Sequence, residues 1–522
     1  MVGVVRVPER TLEKLKNSIP IQFKVCFFSA IIVGLIAHFY KITNWLPNWD
    51  SLVFRYDIQN MTGLGRWFLG TVCAFTSFYD LPFLNGIIAI IFHALSAVCI
   101  CKILNIKENI TAFLIGALVV SFPTVTSIMM YSYVADGYSV AFFMSCLAAY
   151  YMTREKPNYI FAILLIAFSC GIYQAYITVT IMLVLAYLIT EMIYDKKNVM
   201  YIIKKSAAFL LTGFFGMILY YAILTAITKI TGVSLIDYQG FGSSTSFLNV
   251  DIIGSLYRVK ETFINYFFDF SHGLNVFVIL NCLIFVITVS WHLKYALQNK
   301  IVSSFPKALI LFVFAVFLAI GSAVLAFINA GIDYHNLMLM GYSIFYVYFI
   351  VLYEYGQDKK EHTTYAKKWI VLLICMAVIF NNIVISNVSY HKAQMAYEKS
   401  YGTLIRIADR IETTPYAKES DEILVIGALD MSKMYSSYLP PDITGITDGY
   451  IIRADDETVG QSVLCAALND YCGKEYNFIS GERKKLLMQK DEIKSMQLWP
   501  LKDSVKVVDG IIIINLGLES EQ

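Results

Sequence analysis

Eleven long apolar runs constrain this chain more than any other feature in it. A helix that crosses a bilayer needs roughly 20 apolar residues. Such runs lie at 22–40, 83–101, 110–129, 133–152, 158–172, 174–193, 206–228, 273–293, 308–329, 334–353 and 369–387. The fifth and sixth are separated by Cys170-Gly171 alone. Only 15% of residues are charged, against about 25% in a soluble domain, and the mean hydropathy is +0.61. The expected fold is therefore a polytopic α-helical membrane protein of about 11 transmembrane helices. A net charge of +2 leaves no basic footprint for nucleic acid. No small-residue cleavage site follows the first run, so that run is expected to stay as an anchor.

Lysines and arginines set the orientation, because cytoplasmic loops carry them in excess. They collect before the first run (Arg6, Arg10, Lys14, Lys16) and in alternate loops: Lys102 and Lys107; Arg154 and Lys156; Lys196 to Lys205; Lys294 to Lys307; Lys359 to Lys368. The opposite loops near Tyr131, Tyr173 and Asp333 have none. The N-terminus is thus expected in the cytoplasm of a multi-pass protein of the cytoplasmic membrane. An odd number of spans puts the C-terminal part outside. Two domains follow: a transmembrane unit at 1–387, whose first outer loop is 41–82, and an extracytoplasmic α/β unit at 388–522. In the second unit, Met395–Ile411 has the period of an amphipathic helix. Glu422–Gly427 reads as a buried strand, and Val459–Tyr471 and Glu482–Met488 read as helices. Asp509-Gly510 between Val505–Val508 and Ile511–Ile514 predicts a hairpin with a type I′ turn.

Cys465 and Cys472 fall in that outer unit. On one continuous helix their Cα atoms would stand about 10 Å apart, too far to bridge. A disulfide requires the helix to stop before Cys472, where Gly473 offers a stop; otherwise both remain free thiols. No HExxH, CxxC, Walker A or GxSxG pattern is present. No cytoplasmic loop is large enough for a nucleotide site, so an enzyme of this kind must receive its energy in the substrate. A lipid-linked activated sugar meets that need.

The segment Trp45-Leu-Pro-Asn-Trp-Asp-Ser-Leu-Val-Phe-Arg-Tyr-Asp57 and the Gly65-Arg66-Trp67 that follows it carry the densest chemistry. Asp50 could take the proton of an attacking hydroxyl; equally, it suits the N-cap of a short helix starting at Ser51. Arg66 and Arg55 could hold a phosphate bidentately, with headgroup contact as the plainer role of Arg55. Trp49 and Trp67 flank these groups, and Asp57 could pair with either arginine. Asp136, near the outer start of the fourth run, is an acid close to lipid and so a functional candidate. Tyr173-Gln174 and Asp333-Tyr-His335-Asn336 sit at two further tips on the same side.

These residues resemble the bacterial type II glucosyltransferases of the GT-C class, which modify O-antigen and related surface glycans. The likeness rests on a single N-terminal span, the acid-bearing first loop ending in Gly65-Arg66-Trp67, Tyr173-Gln174, and the Trp499-Pro500 and Val508-Asp509-Gly510-Ile511 elements of the tail. It implies a hexosyltransferase that moves glucose from a polyprenyl-phosphate donor to a surface polysaccharide outside the membrane. A donor synthase and a flippase are the implied partners. Many such enzymes carry two adjacent acids in the first loop. Here Trp49 occupies the first position, which leaves the base role to Asp50 and does not support a metal-dependent version; no cofactor is expected. Two other readings fit the topology: a transporter or flippase of lipid-linked glycans, and a polymerase or ligase of them. A transporter would carry interrupted spans and midplane charges, and a polymerase would favour large basic outer loops.

Overall fold

A computed structural model describes residues 8–47, 49–53, 61–194, 196–236, 251–269, 275–328, 331–358, 365–427 and 457–517. Helices dominate: α1 Pro8–Ser18, α2 Ile21–Thr43, α3 Trp49–Val53, α4 Leu69–Cys73, α5 Pro82–Ile103, α6 Asn109–Ser121, α7 Pro123–Met130, α8 Ser132–Thr153, α9 Tyr159–Ile172, α10 Ile177–Ile193, α11 Val199–Thr231, α12 Ile252–Phe268, α13 Val276–Gln298, α14 Phe305–Ile320, α15 Tyr342–Asp358 and α16 Tyr365–Thr413. The C-terminal unit adds β1 Glu422–Ile426, α17 Glu457–Cys472, β2 Asn477–Phe478, α18 Gly481–Met488, α19 Asp491–Lys494, β3 Val505–Val508 and β4 Ile511–Asn515.

Phe28, Ile32, Ile36 and Phe39 recur at helical spacing on α2, and each is more than half exposed. Leu210, Leu211 and Phe214 do the same on α11 and Val286 on α13. Water would not tolerate so much contiguous apolar surface, whereas lipid favours it. Inside the bundle α2 packs on α5 and α6, α5 on α8, α8 on α9, and α9 on α11. Without a hydrophobic drive between helices in lipid, close packing and hydrogen bonds hold them together. Gly116 shows the closeness: a Cβ there would stand 2.2 Å from the Cys26 carbonyl oxygen of α2. Buried His38 adds polar stitching, with Nδ1 2.7 Å from the Tyr390 hydroxyl of α16 and Nε2 2.9 Å from the Val120 carbonyl of α6.

Eight helical segments among the described residues are long and apolar enough to cross a membrane, rather than eleven. The three that fall short are α8, α9 and α15. α9 has 14 residues and α15 has 17, about 21 and 25 Å at 1.5 Å per residue, against a hydrocarbon core of about 30 Å. The run at 334–353 spends its first residues on an extended stretch and a 3₁₀ turn, Asn336–Met338, before α15 begins. α8 has 22 residues, but tyrosines, serines and Asp136 dilute its apolar character. The run at 110–129 is broken between α6 and α7, where Pro123 opens a new helix.

α16 runs unbroken for 49 residues, about 73 Å. That is more than twice the hydrocarbon thickness, so its last turns leave the apolar layer and enter the C-terminal unit. There the sheet order is β2-β1-β4-β3, with β1 parallel to β2 and β4, and β3 antiparallel to β4. Period-two alternation splits its core. Ile423, Val425, Ile512 and Ile514 face Leu404, Ile407, Val463 and Leu464 of α16 and α17. Leu424 and Ile513 face Leu487 of α18 and Ile493 of α19. The hairpin forms as expected, with Asp509 at φ 53° and Gly510 at φ 75°. α17 continues through Cys472, so the condition for a Cys465–Cys472 bridge is not met and both thiols are free. Burial raises the pKa of each.

Candidate active site

The first loop folds into short pieces pinned from several sides. Lys41, 1% exposed at the end of α2, donates from Nζ to the Leu46 carbonyl at 2.9 Å. The Trp45 indole N–H donates to Asp80 Oδ2 at 2.9 Å, and the Asp80 carboxylate lies within electrostatic reach of Lys41. These ties fix the approach to α3. Asp50 then sits inside the first turn of α3, not at a cap before Ser51. It is half-buried. Leu52, two residues on, is 5% exposed and belongs to the core of the C-terminal unit together with Leu404, Ile407 and Val463. The segment that carries the acid is therefore seated on α17, in a core to which α16 also contributes.

Arg66 follows a tight turn. Gly65 has φ 78°, the left-handed region in which a side chain is strained. A Cβ there would also lie 2.5 Å from the Tyr220 hydroxyl and 2.6 Å from Gln174 Nε2. Gln174 Nε2 donates to the Leu64 carbonyl at 2.9 Å and to the Tyr220 hydroxyl at 3.0 Å, and that hydroxyl donates to the Gly65 carbonyl at 3.0 Å. Trp67 lies edge-on to Phe168 and against Gly171, where a Cβ would be 2.6 Å from its ring. The Phe68 N–H donates to the Gly171 carbonyl at 2.8 Å. So the Tyr173-Gln174 hairpin is the mould for the Gly65-Arg66-Trp67 turn.

The guanidinium that results is held on two sides. Arg66 Nη1 donates to the Tyr138 hydroxyl at 2.9 Å, and the guanidinium lies over the Tyr173 ring at 4.7 Å. Tyr138 and Tyr173 are themselves stacked at 4.7 Å. Tyr133 of α8 lies within electrostatic reach of both Asp50 and Arg66. Arg66, Tyr138 and Tyr173 thus gather near the start of α8, and the charge of Asp50 is felt at Tyr133 of the same helix. The arrangement suits a phosphate held by Arg66, with a carboxylate in the same loop that can accept a proton.

Asp136 goes elsewhere. It precedes Tyr138 by two residues, about 200° around a helix. Its Oδ2 accepts from the Thr76 hydroxyl at 2.7 Å and its Oδ1 from the Gly137 N–H at 2.9 Å, and the residue is 2% exposed. It ties the far end of the first loop to α8. His335 is half-buried, and the neighbour that reaches the bundle is Asn336, whose carbonyl accepts from Thr124 of α7 at 2.9 Å. Arg55 and Asp57 lie outside the described residues, and nothing is described of the Trp49 side chain.

Sequence reasoning passed over Lys41, Asp80, Tyr133, Tyr138 and Tyr220. Tyr133 and Tyr138 stood in the very stretch that drew attention to Asp136, but tyrosines abound in this chain and carry no signature of their own. Lys41 did carry a signal, since a lysine at the end of an apolar helix away from the basic loops runs against the charge rule.

A family model described as glucosyl transferase GtrII matches residues 39–354, more than half of the chain. The match takes in every element of the cluster from Lys41 to Tyr220 and stops before α16. No curated protein and no solved structure matches the chain.

Proposed function

The chain belongs to the glucosyl transferase GtrII family, and we propose that it transfers glucose from a polyprenyl-phosphate donor to a surface polysaccharide on the outer side of the cytoplasmic membrane. The family supports a glucosyltransferase; the donor, the acceptor and the side of the membrane are our reading. The observation that carries it is the placement of Arg66. Its guanidinium is oriented by the Tyr138 hydroxyl and the Tyr173 ring, and the charges of Asp50 and Arg66 are both felt at Tyr133.

In this reading the acceptor hydroxyl attacks the anomeric carbon, and the bond from that carbon to the phosphate oxygen breaks. Polyprenyl phosphate departs with the bonding pair, its added negative charge opposed by Arg66. The hydroxyl proton passes to Asp50. A donor with a lipid tail would reach such a site from the bilayer, and no nucleotide or metal is needed to drive the step.

Membrane vesicles given radiolabelled polyprenyl-phosphate glucose and the host's surface polysaccharide test the proposal. Label should pass to the polysaccharide. Arg66→Lys keeps the charge but loses the planar fork, and should lower transfer by about tenfold or more, the scale of one charge-assisted hydrogen bond. Absence of transfer by wild-type vesicles, or full activity in Arg66→Lys, would overturn it.

A further inference from the structure

A row of aromatic rings leads from the first loop along the outer end of α16. Trp45 meets Tyr397 edge-on at 6.4 Å, Tyr397 stacks on Tyr401 at 5.9 Å, and Tyr401 meets Tyr471 of α17 at 5.3 Å. The Tyr397 and Tyr471 hydroxyls stand 3.3 Å apart. Trp45, Tyr397 and Tyr471 are half-buried against the core of the C-terminal unit, whereas Tyr401 lies outside that core and is 39% exposed.

Two ordinary explanations fail for Tyr401. It does not fill the core, as its exposure shows. Nor does it fit an aromatic belt, which sits at the headgroup level. The apolar stretch of α16 ends near Val388, and Tyr401 lies thirteen residues further on, about 20 Å along the helix. The headgroup layer adds only about 5–8 Å on each side of the hydrocarbon core.

Next to Tyr401 stands Gly402, inside a long helix where glycine is unfavourable relative to alanine. A methyl group added there would meet no atom within 4 Å. Packing does not require this glycine, and it leaves the helix surface bare at the position next to Tyr401. An exposed ring carrying a hydroxyl, at the end of a row of rings that reaches the acid-bearing loop, matches the chemistry of a sugar. The C–H face of a pyranose lies against a ring, and its hydroxyls bond to phenols.

We propose that Tyr401, Tyr471 and the open surface at Gly402 form a binding site for the acceptor saccharide chain, which Trp45 and α3 then lead toward Asp50. The proposal rests on the reading of this chain as a sugar-transferring enzyme, and it extends that reading to the C-terminal unit. The site accepts a sugar unit distant from the one that reacts, so its contribution is to acceptor affinity rather than to chemistry.

The test uses the full chain in lipid nanodiscs. The probe is the oligosaccharide mixture released by mild acid from the host's surface polysaccharide, with free glucose as control. Saturation-transfer NMR should report binding of the oligosaccharides to wild type. Tyr401→Ala should weaken it about five- to tenfold, the scale of one aromatic contact, and Tyr401→Trp should retain it. Gly402→Leu puts a good helix former on an exposed position, so the fold should persist while the added bulk blocks the surface. In the vesicle assay both damaging variants should raise the acceptor KM and leave kcat unchanged. Failure of wild type to bind the oligosaccharides, or binding by Tyr401→Ala and Gly402→Leu as tight as that of wild type, would overturn the proposal. Binding that depends on Tyr401 without any transfer from the lipid donor would sustain this site and overturn the proposed reaction instead.

Discussion

At the scale of residues, Asp50 and Arg66 do not owe their place to local sequence. Asp50 is carried by a helix of five residues, too short to be stable alone, and it stays because Lys41, Asp80 and Leu52 fix the chain on either side of it. Asp50→Asn separates its two readings. Asn keeps the shape and can still accept a hydrogen bond, so a purely structural Asp50 predicts near-normal turnover. A general base predicts a fall of about 100-fold or more, with expression and donor binding intact. Turnover in vesicles at saturating acceptor gives the answer, and wild-type turnover would end the assignment. Asp136→Asn is the comparison: its carboxylate already accepts from Thr76 and Gly137, so its loss should show as lower yield and thermal stability of the folded protein. The acid, the arginine and the Tyr173-Gln174 pair were legible in the sequence because charged and amide groups beside lipid are conspicuous. The tyrosines that orient Arg66 were not, because their role depends on which face of α8 turns toward the loop.

At the scale of elements, α3 belongs by chain order to the membrane unit and by packing to the C-terminal unit. Periodicity identified β1, α17, α18 and the β3–β4 hairpin, since each buries its own face within a few residues of sequence. It gave no sign that Leu52 would join that core, because a contact between position 52 and positions 404–464 leaves no local pattern. Leu52→Ala should create a cavity where α3 meets α17, at a cost of about 2–5 kcal/mol. That loss is spent on the seat of α3 and leaves the helices that bind lipid untouched. A displaced Asp50 should lower kcat by about ten- to a hundredfold, since a shift of about 1 Å in a reacting group has that effect. Leu52→Met, which preserves volume, should cost less than about 1.5 kcal/mol and stay near wild type. Equal activity in Leu52→Ala and wild type would mean that the C-terminal unit does not position the acid.

At the scale of the whole molecule, the number of crossings decides which faces share a compartment. Hydropathy rewards helices that touch lipid. α8 touches little of it: most of its side chains are buried among α5, α9 and α10, so it can carry Asp136 and its tyrosines and still traverse the bundle. The short α15 can likewise cross if the flanking 3₁₀ turn Asn336–Met338 completes the path. Eight crossings put Lys14 and Tyr416 on the same side, and eleven put them on opposite sides. The separation of basic loops from the loops at Tyr131 and Tyr173 argues for eleven. Single cysteines at Lys14, Lys156 and Tyr416, with Cys472 changed to Ser, make the test. All three positions are exposed, Tyr416 at 73%, whereas nearby Ser420 at 4% would be silent whatever its side. An impermeant maleimide on intact cells, with any outer envelope opened, should label Tyr416→Cys at once. Lys14→Cys and Lys156→Cys should label only after the membrane is permeabilised. If Lys14→Cys and Tyr416→Cys behave alike, the number of crossings is even. One or all three of α8, α9 and α15 would then turn back, and the acid-bearing loop could not lie outside together with the C-terminal unit that seats it.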